Sequence, residues 1–132
     1  MKLVTAAIIQ KEGKYFIARR GPSEKLAGYW EFPGGKVEDG ESLSDCLQRE
    51  LNEELGISSK IGAVLITSDY VYEHGHIQLV AMAAEIVGGE FNLTVHDQYD
   101  WLSPSEILKL NLAPADVPVA EFLLATNPKK QI

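Results

Sequence analysis

Residues 35–57 read GKVEDGESLSDCLQRELNEELGI and place a dense set of acidic side chains on and just before one short helix. The set consists of Glu38, Asp39, Glu41, Asp45, Glu50, Glu53 and Glu54. Carboxylates at this density repel one another unless cations lie among them. Mg²⁺ in particular is held in proteins by a few carboxylates together with the phosphates of a substrate. The stretch therefore predicts metal-dependent chemistry on a phosphorylated substrate.

Local signals place the helix of this stretch at residues 42–55. Ser42 is a favourable N-cap with Asp45 in the capping-box position, and Gly56 stands where a helix end needs a left-handed residue. A predicted buried stripe recurs at every fourth position, at Leu47, Leu51 and Leu55. A neighbouring face carries Glu50, Glu53 and Glu54, which are spaced i, i+3 and i+4. One face is thus expected to pack on a sheet while the other presents carboxylates to a cleft.

The bulk composition predicts one globular domain over residues 1–132, with 45% hydrophobic and 23% charged residues. The apolar run in residues 1–10 is too short for a signal peptide or a membrane span. The single cysteine, Cys46, cannot form an internal disulfide and suits a reducing compartment, so we expect a cytoplasmic protein. We expect Cys46 to be a packing residue rather than a nucleophile. Monomer and homodimer stay open.

The net charge of −7 disfavours a protein that binds duplex nucleic acid, because such proteins display a basic face. The same charge is compatible with a nucleotide substrate, since a bound divalent cation reverses the local sign of the field.

Outside the acidic helix, the pattern of residues predicts several strands and two further helices. Residues 3–10 and 14–19 are predicted to form a hairpin of two strands. Further strands are predicted at residues 30–32, 60–68, 76–87 and 99–102, and helices at residues 104–110 and 114–126. This order predicts an α/β fold in which a mixed β-sheet is sandwiched between α-helices.

The acidic stretch matches the pattern G-x5-E-x7-R-E-U-x-E-E-x-G-U, in which U is aliphatic. The matching residues are Gly35, Glu41, Arg49, Glu50, Leu51, Glu53, Glu54, Gly56 and Ile57. The chain therefore resembles the Nudix hydrolases, which cleave nucleoside diphosphates linked to another group. Residues 31–36, EFPGGK, are similar to the MutT-like branch. The resemblance implies the Nudix fold and a requirement for Mg²⁺, with Mn²⁺ as a substitute.

The resemblance also implies roles for individual residues. The implied metal ligands are Gly34 through its carbonyl, Glu50, Glu53, Glu54 and Asp97. The implied catalytic set is Glu41, Arg49, Glu50 and Glu53. Within it Glu50 is either a ligand or the base that deprotonates water, while Glu41 and Arg49 are expected to form an ion pair that braces the loop before the helix. Asp97 is either a ligand or the cap of a loop.

Four residues are candidates for binding the nucleotide. Asp116 lies in residues 112–118, which are similar to the base-recognition segment of MutT-like pyrophosphohydrolases. A carboxylate there accepts from the cytosine N4 amine, or equally from the N1–H and N2–H₂ groups of 8-oxoguanine. Asp116 could instead cap a helix. Phe32 and Tyr72 are candidates for stacking on the base, and Arg20 for clamping phosphate. The three histidines, His74, His76 and His96, are expected to be surface or strand residues.

The leading hypothesis is a Mg²⁺-dependent nucleoside triphosphate pyrophosphohydrolase that releases a nucleoside monophosphate and pyrophosphate. The implied substrates are CTP, dCTP or modified pyrimidine nucleotides, with 8-oxo-dGTP as the alternative. A second hypothesis keeps the chemistry but assigns nucleotide sugars or dinucleotide polyphosphates as substrates. A third is a non-catalytic nucleotide sensor, which the complete set of glutamates disfavours.

Overall fold

The computed structural model describes residues 1–126, which form an α/β fold as predicted. The strands are β1 Lys2–Ile8, β2 Gln10–Lys11, β3 Lys14–Arg20, β4 Trp30–Glu31, β5 Ile57–Tyr72, β6 Gly75–Gly89 and β7 His96–Leu102. The helices are α1 Leu43–Leu55, α2 Pro104–Ile107 and α3 Val117–Thr126, with a 3-10 turn at Pro114–Asp116. No helix in this described part is long and apolar enough to cross a membrane.

The strands divide into two sheets. The first has the order β1-β6-β5 and is mixed, because β1 runs parallel to β6 while β5 runs antiparallel to it. In the second, β3 pairs antiparallel with β2, β4 and β7. The predicted mixed sheet is therefore present, and a separate antiparallel sheet accompanies it.

The predicted hairpin of residues 3–10 and 14–19 is wrong for its first strand. Only Gln10–Lys11 pairs with β3, whereas β1 pairs with β6 in the other sheet. Four consecutive residues at the end of β1 and just after it are buried: Ala6, Ala7, Ile8 and Ile9. A strand that is buried on both faces is typical of the parallel part of a sheet, where helices cover both sides. Burial of this run, rather than a local turn, therefore decides where β1 pairs.

Two apolar clusters lie on opposite faces of the mixed sheet. Val80 and Met82 of β6 belong to the cluster that contains the leucines of α1. Leu79 and Ala81 belong to the other cluster, which contains Val119 and other residues of α3. Alternate residues of one strand thus contact different helical layers. This arrangement confirms a mixed sheet between helices.

Helix α1 begins and ends where its sequence predicts. The Ser42 side chain accepts a hydrogen bond from the Asp45 backbone N–H at 3.1 Å. Gly56 closes the helix in the left-handed conformation, with φ 74°. The predicted stripe of Leu47, Leu51 and Leu55 is fully buried. Because cap and stripe together fix the rotation of the helix, they also fix which face the glutamates occupy.

The two C-terminal helices differ from their predicted bounds. The capping box of Ser103 and Glu106 is present, but α2 ends at Ile107 rather than at residue 110. The segment after it turns back so that the Ala113 N–H donates to the Trp30 carbonyl at 2.9 Å. The predicted last helix divides into the 3-10 turn and α3, which places Asp116 at the end of the turn.

Replacing Leu51 with alanine is expected to lower the free energy of unfolding by about 2–5 kcal/mol, because it leaves a cavity beneath α1. The adjacent Asn52 is exposed on the same helix, and Asn52→Ala is expected to change this free energy by no more than about 0.5 kcal/mol. Urea denaturation of both variants measures the difference. Equal effects would contradict the assignment of the buried face.

Candidate active site

The guanidinium of Arg49 ties the loop before α1 to the helix. Arg49 Nε donates to Glu41 Oε2 at 2.7 Å and Nη2 donates to Glu41 Oε1 at 3.0 Å. Nη2 also donates to the Lys36 carbonyl at 3.2 Å. Hydrogen bonds from Arg49 and from the Glu38 backbone lower the pKa of Glu41 to about 2. The predicted ion pair that braces this loop is therefore confirmed.

The same guanidinium contacts two glutamates of the acidic face. Arg49 Nη1 lies 2.8 Å from Glu50 Oε1 and 3.3 Å from Glu53 Oε2. The Glu50 side chain is only 13% exposed, whereas that of Glu53 is 58% exposed. Glu50 thus forms the inner part of the face, and Glu53 forms the part that meets solvent.

The turn at residues 33–35 approaches both β1 and α1 so closely that its glycines are required. A side chain at Gly35 would overlap the carboxylate of Glu50, and one at Gly34 would overlap the Thr5 carbonyl. The Thr5 N–H donates to the Gly35 carbonyl at 2.8 Å, and the Pro33 carbonyl accepts from β1 as well. The Gly34 carbonyl lies between these two, and no hydrogen bond to it is found within residues 1–126. This carbonyl is therefore free to act as the predicted ligand.

Glu54 lies at the buried end of the acidic face. One ligand atom each of Glu31, Glu54 and His96 lies within 4.8 Å of the others. Glu54 Oε1 is buried and has no hydrogen-bond partner in the described part of the chain. Burial first, and then the charges of Glu31 and Glu50, raise the pKa of Glu54 to about 9. The charge of Arg20 lowers this pKa only in part, so Glu54 remains a strongly perturbed buried acid.

Sequence analysis did not single out Glu31 or His96 as site residues. Glu31 Oε2 lies 3.0 Å from Arg20 Nη1 and 2.9 Å from His96 Nε2. His96 lies in β7, so the expectation of a strand residue is confirmed, but its side chain is fully buried rather than on the surface. Glu31, Arg20 and His96 come from three different strands, so their meeting cannot be read from local sequence. The only signal in the sequence was that Glu31 is a carboxylate within residues 31–36.

The structure does not bring Asp97 to this group. Its two carboxylate oxygens accept from Arg19, at 2.8 Å from Nε and 3.1 Å from Nη2. Asp97 is the extra residue at a bulge between β7 and β3, because His96 pairs with Arg20 and Gln98 with Arg19. The assignment of Asp97 as a ligand stays a prediction that this conformation does not support.

The residues around Glu54 fit a hard divalent cation. They supply carboxylate oxygens from Glu50, Glu53 and Glu54 and a carbonyl oxygen from Gly34, which are the ligand types that Mg²⁺ and Mn²⁺ accept. The buried and unpartnered Glu54 Oε1 is the observation that calls for such a cation.

A pocket of 160 Å³ adjoins this group of oxygens. Its lining includes Glu31, Gly34 and Asp116. The remaining lining residues are Val4, Thr5, Leu26, Phe32, Tyr70, Ile77, Leu79, Ala113, Pro114 and Ala115. Drug-sized ligands occupy pockets of about 300–1,000 Å³, so this one suits a single ring rather than a whole nucleotide.

Asp116 is buried in this pocket, with 6% of its surface exposed. Its Oδ2 accepts from the Phe32 backbone N–H at 2.8 Å. Burial first, and then the charge of Glu31, raise the pKa of Asp116 to about 8. The side chain bonds to a distant segment rather than to the start of its own turn, so it does not act as a helix cap.

Of the other predicted nucleotide-binding residues, one lines the pocket and two do not. Phe32 is buried and lines the pocket. Tyr70 lines it, whereas Tyr72 does not; the Tyr72 ring stacks on Tyr70 with 6.3 Å between centroids. Arg20 contacts Glu24 as well as Glu31, so its donors are engaged within the protein. Its role in clamping phosphate stays a prediction.

A larger groove of 1160 Å³ lies elsewhere on the molecule, and the strands β1–β7 except β4 contribute to it, together with α3. None of the predicted site residues lines it.

Comparison with known proteins connects this geometry to a family. A family model described as NUDIX domain matches residues 4–121. CTP pyrophosphohydrolase of Escherichia coli K12 is 40% identical over 122 residues, which cover 92% of this chain and 90% of that protein. The 8-oxo-dGTP diphosphatase of the same organism is 29% identical over 119 residues, covering 90% and 92%. The solution structure of the E. coli ORF135 protein superposes with a TM-score of 0.84 at 38% identity, covering 98% of this chain and 93% of that one.

The raised pKa of Asp116 predicts how stability depends on pH. The folded state keeps the Asp116 proton up to pH 8 or so, while the unfolded state releases it near the ordinary value of 3.8. Between these values the unfolded state binds fewer protons, so Asp116 lowers the free energy of unfolding as the pH rises. Asp116→Asn retains an acceptor for the Phe32 N–H and removes this loss.

The stability of Asp116→Asn relative to wild type is therefore expected to increase by more than about 1 kcal/mol between pH 5 and 8. Urea denaturation at several pH values measures the difference. A difference that does not change with pH would show that the Asp116 carboxyl titrates normally.

Proposed function

Because this chain belongs to the NUDIX domain family, we propose that it is a divalent-metal-dependent nucleoside triphosphate pyrophosphohydrolase. In this reaction water cleaves a phosphoanhydride bond, and the products are a nucleoside monophosphate and pyrophosphate. The observation that carries the proposal is the buried, unpartnered Glu54 oxygen near Glu31, since Glu31 also lines the pocket that contains Asp116.

We assign the metal to the Gly34 carbonyl and to the carboxylates of Glu50, Glu53 and Glu54. Mg²⁺ is the proposed physiological ion and Mn²⁺ its substitute, because all of these ligands are oxygen atoms. When bound, such a cation neutralises charge on the phosphate oxygens and lowers the pKa of water.

The protein's own residues orient the acidic face for this chemistry. Arg49 holds one oxygen of Glu50 and one of Glu53, and Gly35 gives Glu50 room to lie against the turn. Glu50 and Glu53 are our candidates for accepting the proton of the attacking water. Glu41 acts through Arg49 rather than on the substrate, because both of its oxygens bond to that guanidinium.

We propose that the pocket holds the nucleobase. Asp116 Oδ2 is engaged by Phe32, which leaves Oδ1 to hydrogen-bond with the Watson–Crick edge of the base. Apolar residues of the pocket, including Phe32 and Tyr70, contact the ring. In place of Tyr72, we therefore assign Tyr70 to the wall of the base pocket.

CTP, dCTP and modified pyrimidine nucleotides are the proposed preferred substrates. The supporting observation is the 40% identity to a protein named CTP pyrophosphohydrolase, with nearly full coverage of both chains. The second candidate is 8-oxo-dGTP, because a more distant relative is named 8-oxo-dGTP diphosphatase and Asp116 suits both bases. A cytoplasmic location accords with the free thiol of Cys46.

Replacing Glu54 or Glu53 with glutamine is expected to lower kcat by at least about two orders of magnitude, because charge that holds the cation is lost. Asp45→Asn is the matched control, since it removes an exposed carboxylate from the first turn of the same helix, about two turns before Glu53. Pyrophosphate release from CTP in Mg²⁺ measures all three. Undiminished turnover in chelator, or in both glutamine variants, would contradict the metal assignment.

Asp116→Ala is expected to lower kcat/KM for the preferred triphosphate by about tenfold or more, while poor substrates barely change, because one matched polar contact is lost. Asp116→Asn separates this effect from the anchoring of Phe32, since it keeps that hydrogen bond. Initial rates on CTP, dCTP, 8-oxo-dGTP and the ordinary triphosphates provide the measurement. An equal loss on every triphosphate would identify Asp116 as a purely structural residue.

A further inference from the structure

Glu31 stands next to the proposed metal site by virtue of its position in the chain. It is the last residue of β4, and the turn that carries Gly34 follows it directly. β4 pairs with the end of β3, which brings Arg20 beside it, and β7 pairs with the same end of β3. Three strands therefore converge on the Glu31 carboxylate.

The Glu31 carboxylate is held by only one of its oxygens. Arg20 and His96 both contact Oε2, at 3.0 and 2.9 Å. In residues 1–126, no hydrogen bond to Oε1 is found. The side chain of His96 is fully buried and that of Glu31 is 15% exposed. The packing thus fixes the direction of the carboxylate and leaves one oxygen available.

The Glu31 carboxylate lies next to that of Glu54. Ligand atoms of Glu31 and Glu54 approach within 4.8 Å, and Glu54 Oε1 is buried without a partner. Two carboxylates at this separation repel each other, and Arg20 supplies one positive charge against both. A residue with a purely structural role at position 31 would not need to face another acid. A cation between the two carboxylates resolves the arrangement.

We propose that Glu31 is a further carboxylate ligand of the divalent cation, and that His96 and Arg20 are positioning residues that aim it at the cation. This proposal rests on the function proposed above. Glu31 takes the role of the additional carboxylate that sequence analysis gave to Asp97. Asp97 bonds through both oxygens to Arg19, and its side chain is 37% exposed.

The role of His96 makes a specific prediction about its replacements. Glutamine carries a donor that can reach Glu31 Oε2 in place of the imidazole Nε2, whereas leucine fills space without donating. Outer-sphere partners of metal ligands typically contribute about 10–100-fold to metal affinity. His96→Gln is therefore expected to retain Mn²⁺ affinity that His96→Leu loses.

The proposal is tested by measuring the affinity of the full-length protein for Mn²⁺ alone. The concentration of free Mn²⁺ is measured by electron paramagnetic resonance. Glu31→Gln is expected to weaken Mn²⁺ binding by about tenfold or more, while the matched variant Asp97→Asn stays within about twofold of wild type. Circular dichroism establishes that each variant is folded. Wild-type affinity in folded Glu31→Gln, or a loss in Asp97→Asn alone, would overturn the proposal.

Glu54→Gln separates this proposal from the proposed function. Weak Mn²⁺ binding in Glu54→Gln together with wild-type binding in Glu31→Gln would refute only the role of Glu31. Wild-type binding in Glu54→Gln would refute the metal site itself. If Glu31→Gln does not fold, the pair at position 96 decides, since equal Mn²⁺ affinity in His96→Leu and His96→Gln overturns the positioning of Glu31.

Discussion

One guanidinium among many carboxylates organises this molecule. Arg49 bonds to both oxygens of Glu41, to the Lys36 carbonyl and to Glu50 and Glu53 of α1, so the loop before the helix and the helix face become one unit. Bidentate bonding of this kind needs the planar fork of arginine, and lysine could not replace it. The bond to the Lys36 carbonyl also holds the chain just after the Gly34 turn against the acidic face.

Arg49 does not contact Glu54, and in the proposed function this leaves the charge of the Glu54 carboxylate to be balanced by the cation. Glu54 carries a buried oxygen without a partner, beside Glu31 and Glu50. Leaving a buried charge unpaired destabilises a fold, and proteins retain such groups where activity requires them. In the proposed function a divalent cation supplies the missing charge and the adjoining pocket holds the nucleobase, so both would depend on the turn at residues 33–35.

Sequence predicted the parts of this site that depend on local structure. The caps of α1, its leucine stripe and the Glu41–Arg49 pair follow from spacing within one segment, and the structure contains all of them. The pairing of β1 with β6 and the meeting of Glu31 with His96 depend on contacts between distant segments. Spacing carries no information on such contacts, so the predicted hairpin was wrong and His96 was not expected inside. Tyr70 and Tyr72 lie on the same face of β5, and Tyr70 was missed because the position of the pocket along this strand depends on other segments.

The stability of the protein with and without Mg²⁺ tests the central claim most directly, namely that Glu54 is kept uncompensated for a cation. Without metal, Glu54→Gln should be more stable than wild type, because the replacement removes a buried acid. Mg²⁺ at 100 times its dissociation constant should stabilise wild type by about 2.7 kcal/mol and the variant far less. A variant that is less stable without metal, or that gains as much from Mg²⁺ as wild type does, would contradict the account.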